Sequence, residues 1–128
     1  MMNTKELKFA KTHEWVAPDG TVGISDHAQK EITDVVFVDL PAQGKVFQAG
    51  AEAGTIESVK AAFPIYAPVS GKVVAVNDKV AKNPALVNQS PYGDGWLFKL
   101  EATDKSGSSA LMNEEGYGTF LKEENPHG

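Results

Sequence analysis

The stretch Gly54-Thr55-Ile56-Glu57-Ser58-Val59-Lys60-Ala61-Ala62 constrains the fold of this chain more than any other. Before Lys60 the residues are apolar or small, as a strand requires, and residues 63–69 form a second extended run broken by Pro64 and Pro68. Two strands joined there make a hairpin with Lys60 at its tip. The connection holds no Gly, Asn or Asp, which disfavours a turn needing positive φ and predicts a type I turn that ordinary residues can make. Such a tip is firm and aims the lysine side chain into solvent.

The rest of the chain reads as scaffolding for that hairpin. Pro18-Asp19-Gly20 predicts a turn, because proline sets one φ and glycine accepts the positive one. The turn joins an arm containing Thr12-His13-Glu14-Trp15-Val16 to one in which Val22 and Ile24 alternate with small or polar residues, the pattern of a half-buried strand. Asp26 is expected to cap a short helix reaching Thr33, with Gln29 as the other half of a capping box. Val35-Val36-Phe37-Val38-Asp39-Leu40 is a β-branched and aromatic run stopped by Pro41, hence a strand.

Beyond Lys60 a similar order returns. Val73-Val74-Ala75-Val76 reads as a strand, and Val80 followed by Pro84 mirrors Val46 followed by Gly50. A duplication about Lys60 would build two small sheets related by an approximate two-fold, with the hairpin at one end. A turn-rich loop at residues 90–95 leads to a last strand at residues 96–100, and a polar linker at residues 103–109 leads to a helix capped by Asn113. Glu114 and Glu115 suit the positive end of its dipole, while Gly116 and Gly118 weaken it by roughly 1 kcal/mol each. Residues 125–128 are expected to fray. At 128 residues the chain suits one domain, with a core at about 8–102 and a helical extension at about 109–124.

Composition removes several functions. All 12 basic residues are lysine, and the net charge is −5, so a polyanion such as nucleic acid is repelled and finds no guanidinium fork. There is no cysteine, so the chain itself supplies no thiolate and no disulfide. No apolar signal core or membrane-length run occurs, which predicts a cytoplasmic protein that does not enter a membrane.

Motifs for catalysis are also missing. There is no phosphate-cradling loop, dinucleotide fingerprint or Gly-x-Ser-x-Gly elbow. Ser58 and Ser70 each precede a lysine by two residues, a spacing common by chance. His13 and His27 could meet, but as metal ligands they would need Glu14 or Asp26 as a third partner. No catalytic residue and no metal site are therefore expected, and Asn88-Gln89-Ser90 is a glycosylation acceptor in form alone. Lys60 could be an ordinary solvated lysine. Its placement suits a swinging arm, because acylation lengthens its reach while the turn keeps its direction, and a tethered group acts at a high local concentration.

Glu57-Ser58-Val59-Lys60-Ala61, preceded by Thr12-His13-Glu14-Trp15, Gly23-Ile24-Ser25-Asp26-His27-Ala28-Gln29 and the run from Asp34 to Pro41, resembles the H-protein of the glycine cleavage system. The likeness continues through Ala67-Pro68-Val69-Ser70-Gly71, Leu86-Val87-Asn88 and Ser90-Pro91-Tyr92-Gly93-Asp94-Gly95-Trp96, so it spans nearly the whole chain in order. It implies a mainly β barrel-sandwich hybrid fold and a lipoyl group in amide linkage to Lys60, with Glu57, Ser58, Val59 and Ala61 as the hairpin context. It implies a carrier that catalyses nothing alone in glycine catabolism and one-carbon metabolism. The partners implied are a pyridoxal-phosphate glycine decarboxylase, a tetrahydrofolate-dependent aminomethyltransferase, dihydrolipoamide dehydrogenase and a lipoyl or octanoyl transferase or ligase, met by a monomer.

The family also points to Glu14 and His27. A loaded arm carries an amine, which a carboxylate and an imidazole could hold in a surface cleft away from water; the alternative is an ordinary strand carboxylate and helix-terminus imidazole. One departure stands out: many family members carry an acidic residue where this chain has Pro64. A biotin carrier would have methionine on both sides of the lysine, and a 2-oxo acid dehydrogenase lipoyl domain would have aspartate before it, whereas Val59 and Ala61 flank Lys60 here. An unmodified docking module and a lipoyl donor to other complexes remain as alternatives.

Overall fold

The computed structural model describes residues 4–102 and 111–124. The strands, in chain order, are β1 (Lys8–Phe9), β2 (Glu14–Val16), β3 (Thr21–Ile24), β4 (Val35–Asp39), β5 (Val46–Phe47), β6 (Glu52–Ser58), β7 (Ala62–Tyr66), β8 (Gly71–Val76) and β9 (Phe98–Ala102). The helices are α1 (Asp26–Ile32), α2 (Asp78–Lys82), α3 (Leu86–Gln89) and α4 (Glu114–Glu124). All pairing is antiparallel, in a six-stranded sheet ordered β1-β2-β3-β9-β8-β5 and a three-stranded sheet ordered β4-β6-β7. The fold is mainly β with helices at its margins, as expected.

The two sheets and the short helices bury one apolar core that includes Val22, Ile24, Val38, Ile56, Ile65, Val73, Val80, Val87 and Phe98. A second cluster of Leu7, Phe9, Trp15, Ala17 and Tyr117 seats α4 against the first strands. The Phe9 and Tyr117 rings stack at 4.4 Å between centroids. This contact offsets the poor intrinsic helicity of a segment with two glycines. Asn113 Oδ1 accepts the Gly116 N–H at 2.7 Å, which is the expected cap.

Several local expectations are corrected. The N-cap of α1 is Ser25, whose Oγ accepts the Ala28 N–H, and Asp26 is the first helical residue. Gln29 does reach back, but its amide donates to Asp26 Oδ1 at 2.8 Å. Thr33 ends the helix at φ 68°. β3 is buried at all four positions: Val22 and Ile24 enter the main core, and the Trp15 ring covers Gly23, where a Cβ would lie 2.5 Å from Trp15 Cζ2. The last strand begins at Phe98, not Trp96, since the Trp96 carbonyl is held by Asn77 Nδ2 at 2.7 Å. α2 and α3 occupy residues assigned no helix from the sequence. The match of Val46 to Val80 dissolves: Val46 stands exposed on β5, whereas Val80 is buried in α2. The Pro18-Asp19-Gly20 turn forms as expected, with Gly20 at φ 92°. The polar linker at residues 103–109 and the end at residues 125–128 lie outside the described residues.

Candidate functional site

Val59, Lys60 and Ala61 form the connection between β6 and β7. The Ser58 N–H donates to the Ala61 carbonyl at 2.8 Å and closes the hairpin. Neither Val59 nor Lys60 has positive φ, since His13 and Thr33 are the non-glycine residues that do among those described. The commonest short hairpin connections place at least one residue at positive φ, so this tip needs other support. Ser58 supplies it: its buried Oγ accepts the Lys60 and Ala61 N–H groups at 3.2 and 3.3 Å. The Val59 N–H donates to the Asp34 carbonyl at 3.1 Å, tying the tip to the residue before β4. Lys60 itself is exposed on this braced turn, and Glu57 and Ala61 flank it on the surface.

β7 leads from the tip to a cleft of about 300 Å³. Its walls include Ile24, Ile32, Ile56, Phe63 and Ile65, its polar groups include Thr12, Glu14 and Glu31, and Pro64 is part of the lining. Pro64 fits there because β7 is an edge strand, where a missing N–H is tolerated. Glu14, 2 % exposed, is the buried carboxylate of this cleft. Its Oε1 accepts a hydrogen bond from Thr12 Oγ1, and its Oε2 accepts the Tyr66 N–H at 3.1 Å. Burial pushes its pKa above the ordinary value, and the hydrogen bonds from Thr12, Tyr66 and its own backbone oppose that rise.

His27 is not among the cleft-lining residues. It stands in α1 with Nε2 3.0 Å from Glu31 Oε1, so it reaches the cleft through Glu31, which does line it. His13 and His27 do meet, with ring centroids 5.1 Å apart. His13 Nδ1 lies 2.7 Å from the Tyr117 hydroxyl, which lies 2.7 Å from Ser25 Oγ, so α4 is coupled to both β2 and α1. Among the described residues no group of three His, Asp or Glu side chains could hold a metal ion. A larger groove of about 570 Å³ beside the Pro18-Asp19-Gly20 turn contains neither Lys60 and its hairpin neighbours nor Glu14 or His27.

Thr12, Glu31, Phe63, Ile65 and Tyr66 were not assigned to the site from the sequence. Tyr66 contributes a backbone N–H, which no side-chain motif reveals. Glu31 lies one helical turn beyond His27, and that i,i+4 spacing was the available signal.

Likeness to known proteins agrees with this geometry. A family model described as "Glycine cleavage H-protein" matches residues 7–124. A glycine cleavage system H protein from Photorhabdus laumondii is 52% identical over 123 residues, covering 93% of this chain and 95% of that protein. One from Deinococcus deserti is 53% identical over 117 residues, covering 91% and 96%. The crystal structure of a glycine cleavage system H protein from Mycobacterium marinum has a TM-score of 0.81 at 33% identity, covering 90% of this chain and 95% of that one. The chain belongs to the glycine cleavage H-protein family.

Proposed function

We propose that Lys60 carries the lipoyl group by which this family serves as the carrier of the glycine cleavage system, and that the cleft holding Glu14 shelters the loaded arm. The observation that carries this reading is the placement of an exposed lysine on a braced turn, at the head of a strand that runs down to a buried carboxylate. When attached, the lipoyl group supplies a disulfide that takes up the aminomethyl group left by glycine decarboxylation and is later regenerated from the dithiol.

The chain's own part is to aim, hold and shield. Ser58 fixes the direction of Lys60 through two N–H groups. The apolar walls of Ile56, Phe63 and Ile65 suit an aliphatic arm, and Glu14 offers an oxygen to an amine. His27 pairs with Glu31, a second carboxylate on the cleft that Pro64 also lines. In this reading the protein is a cytoplasmic monomer that is not itself an enzyme. It meets a glycine decarboxylase, an aminomethyltransferase, dihydrolipoamide dehydrogenase and a lipoyl-attaching enzyme in turn.

Intact mass and peptide mapping after treatment with lipoate, ATP and a lipoate ligase test the attachment. A single lipoyl addition at Lys60, absent in a folded Lys60→Arg variant that also fails in reconstituted glycine cleavage, is the expected result. An unmodified chain under conditions that lipoylate a known acceptor would leave a docking module in its place. For the cleft, Glu14→Ala should accept lipoate normally but lose the aminomethyl group faster, and an unchanged lifetime removes Glu14 from that role.

A further inference from the structure

Among the described residues four large apolar side chains stand out in solvent, and three of them surround the Lys60 tip: Val36 at 54%, Phe37 at 50% and Val59 at 68% exposure. A β-bulge creates this cluster. Val35 pairs with Ser58 and Phe37 with Glu57, so Val36 is an extra residue in β4. Strict alternation would send one of two successive side chains inward, but here Val36 and Phe37 both face solvent while Val35 and Val38 are buried. Phe37 is thereby set directly across from Glu57, and Glu57 from Ala62, in one row beside the tip. Asp34, Asp39 and Glu57 are exposed around the patch and give it an acidic border.

We propose that Val36, Phe37 and Val59 form the docking surface for the enzyme that acylates Lys60, whose matching face is apolar with a basic border. The proposal rests on the reading of Lys60 as the acylated lysine. The occupant follows from where each partner's chemistry occurs. In acylation the reacting atom is Nζ itself: it forms an amide bond to the carbonyl carbon of an acyl adenylate, the acyl–phosphate bond breaks, AMP leaves with the electron pair and Nζ gives up a proton. That enzyme must approach within one lysine side chain of Val59. Enzymes that act on the far end of a loaded arm can work at a longer distance. A pair of adjacent apolar residues, one aromatic, is the anchor such a close contact needs, and carboxylates at its rim select a basic partner.

The test measures initial lipoylation by a lipoate ligase with lipoate and ATP, at limiting acceptor, by intact mass. Phe37→Thr keeps β propensity at an exposed site and should lower the rate about tenfold or more, as truncation of an interface anchor does. Val36→Thr should lower it less, and Val46→Thr, the fourth exposed apolar residue, should leave it unchanged. Direct acetylation of Lys60 by an N-hydroxysuccinimide ester, mapped by peptide mass, should be the same in all four proteins. A wild-type ligase rate for Phe37→Thr overturns the proposal, and so does a parallel fall in chemical acetylation, which would indicate a disturbed turn. A wild-type protein that takes no lipoyl group at all overturns the carrier reading itself, and this surface with it.

Discussion

The Tyr66 N–H donates to Glu14 Oε2 at 3.1 Å, joining the last residue of β7 in the three-stranded sheet to the first residue of β2 in the six-stranded one. A carboxylate in a largely apolar cleft thus receives, besides the Thr12 hydroxyl, a backbone donor from the strand that descends from Lys60. Burial and solvation oppose each other at this residue, and burial dominates.

That balance gives stability a pH dependence of known sign. The folded pKa of Glu14 lies above the ordinary value of 4.5, so the folded protein binds the proton more tightly than the unfolded chain does. Its contribution is therefore fully present below about pH 4.5 and is lost as pH rises through the folded value. Urea unfolding of wild type and Glu14→Gln across this window should show wild type losing stability relative to the variant as pH rises. A constant difference would mean that burial of the carboxylate carries no net cost. Asp19 and Asp26 act with the opposite sign: hydrogen bonds from Thr21 and from Gln29, respectively, hold them below 3.8, so their contribution is lost on acidification.

The cap of α1 can be assigned by substitution. Ser25→Ala removes the acceptor for the Ala28 N–H and one of the Tyr117 hydroxyl's partners, and should cost about 1 to 2 kcal/mol. Asp26→Asn leaves that cap intact and removes an exposed first-turn charge, costing about 0.3 to 1 kcal/mol at most. Chemical denaturation should show a lower midpoint for Ser25→Ala than for Asp26→Asn; the reverse order would return the cap to Asp26.

At the tip, Ser58→Ala deletes the acceptor shared by the Lys60 and Ala61 N–H groups. The variant should be less stable by about 1 kcal/mol. Amide hydrogen exchange at Lys60 and Ala61 should quicken while exchange at Ile56 in the core strand changes only with global stability. Unchanged exchange at the tip would show that the tie from Val59 to Asp34 suffices.

Much of the site was legible because its parts are local in sequence. A hairpin tip is specified by the strands on either side of it and by the absence of residues that tolerate positive φ, so the position of Lys60 in a connection without positive φ followed from a short stretch. The β-branched run of β4 and the Pro18-Asp19-Gly20 turn were readable for the same reason. The Val46 and Val80 correspondence failed because matching apolar positions specify neither the period of the element nor its partner: one residue became an exposed strand position and the other a buried helical one.

From its own order of residues this chain determined its mainly β character, which lysine stands at a tip, and the ordered motifs that mark its family. Only the tertiary structure decided that Glu14 is buried against the Tyr66 N–H, that Glu31 and not His27 lines the cleft, and that a bulge turns both Val36 and Phe37 outward. The physical reason is that burial, strand register and backbone hydrogen bonds are set by pairing between distant segments. A backbone N–H 52 residues away leaves no mark on the identity of the residue it solvates.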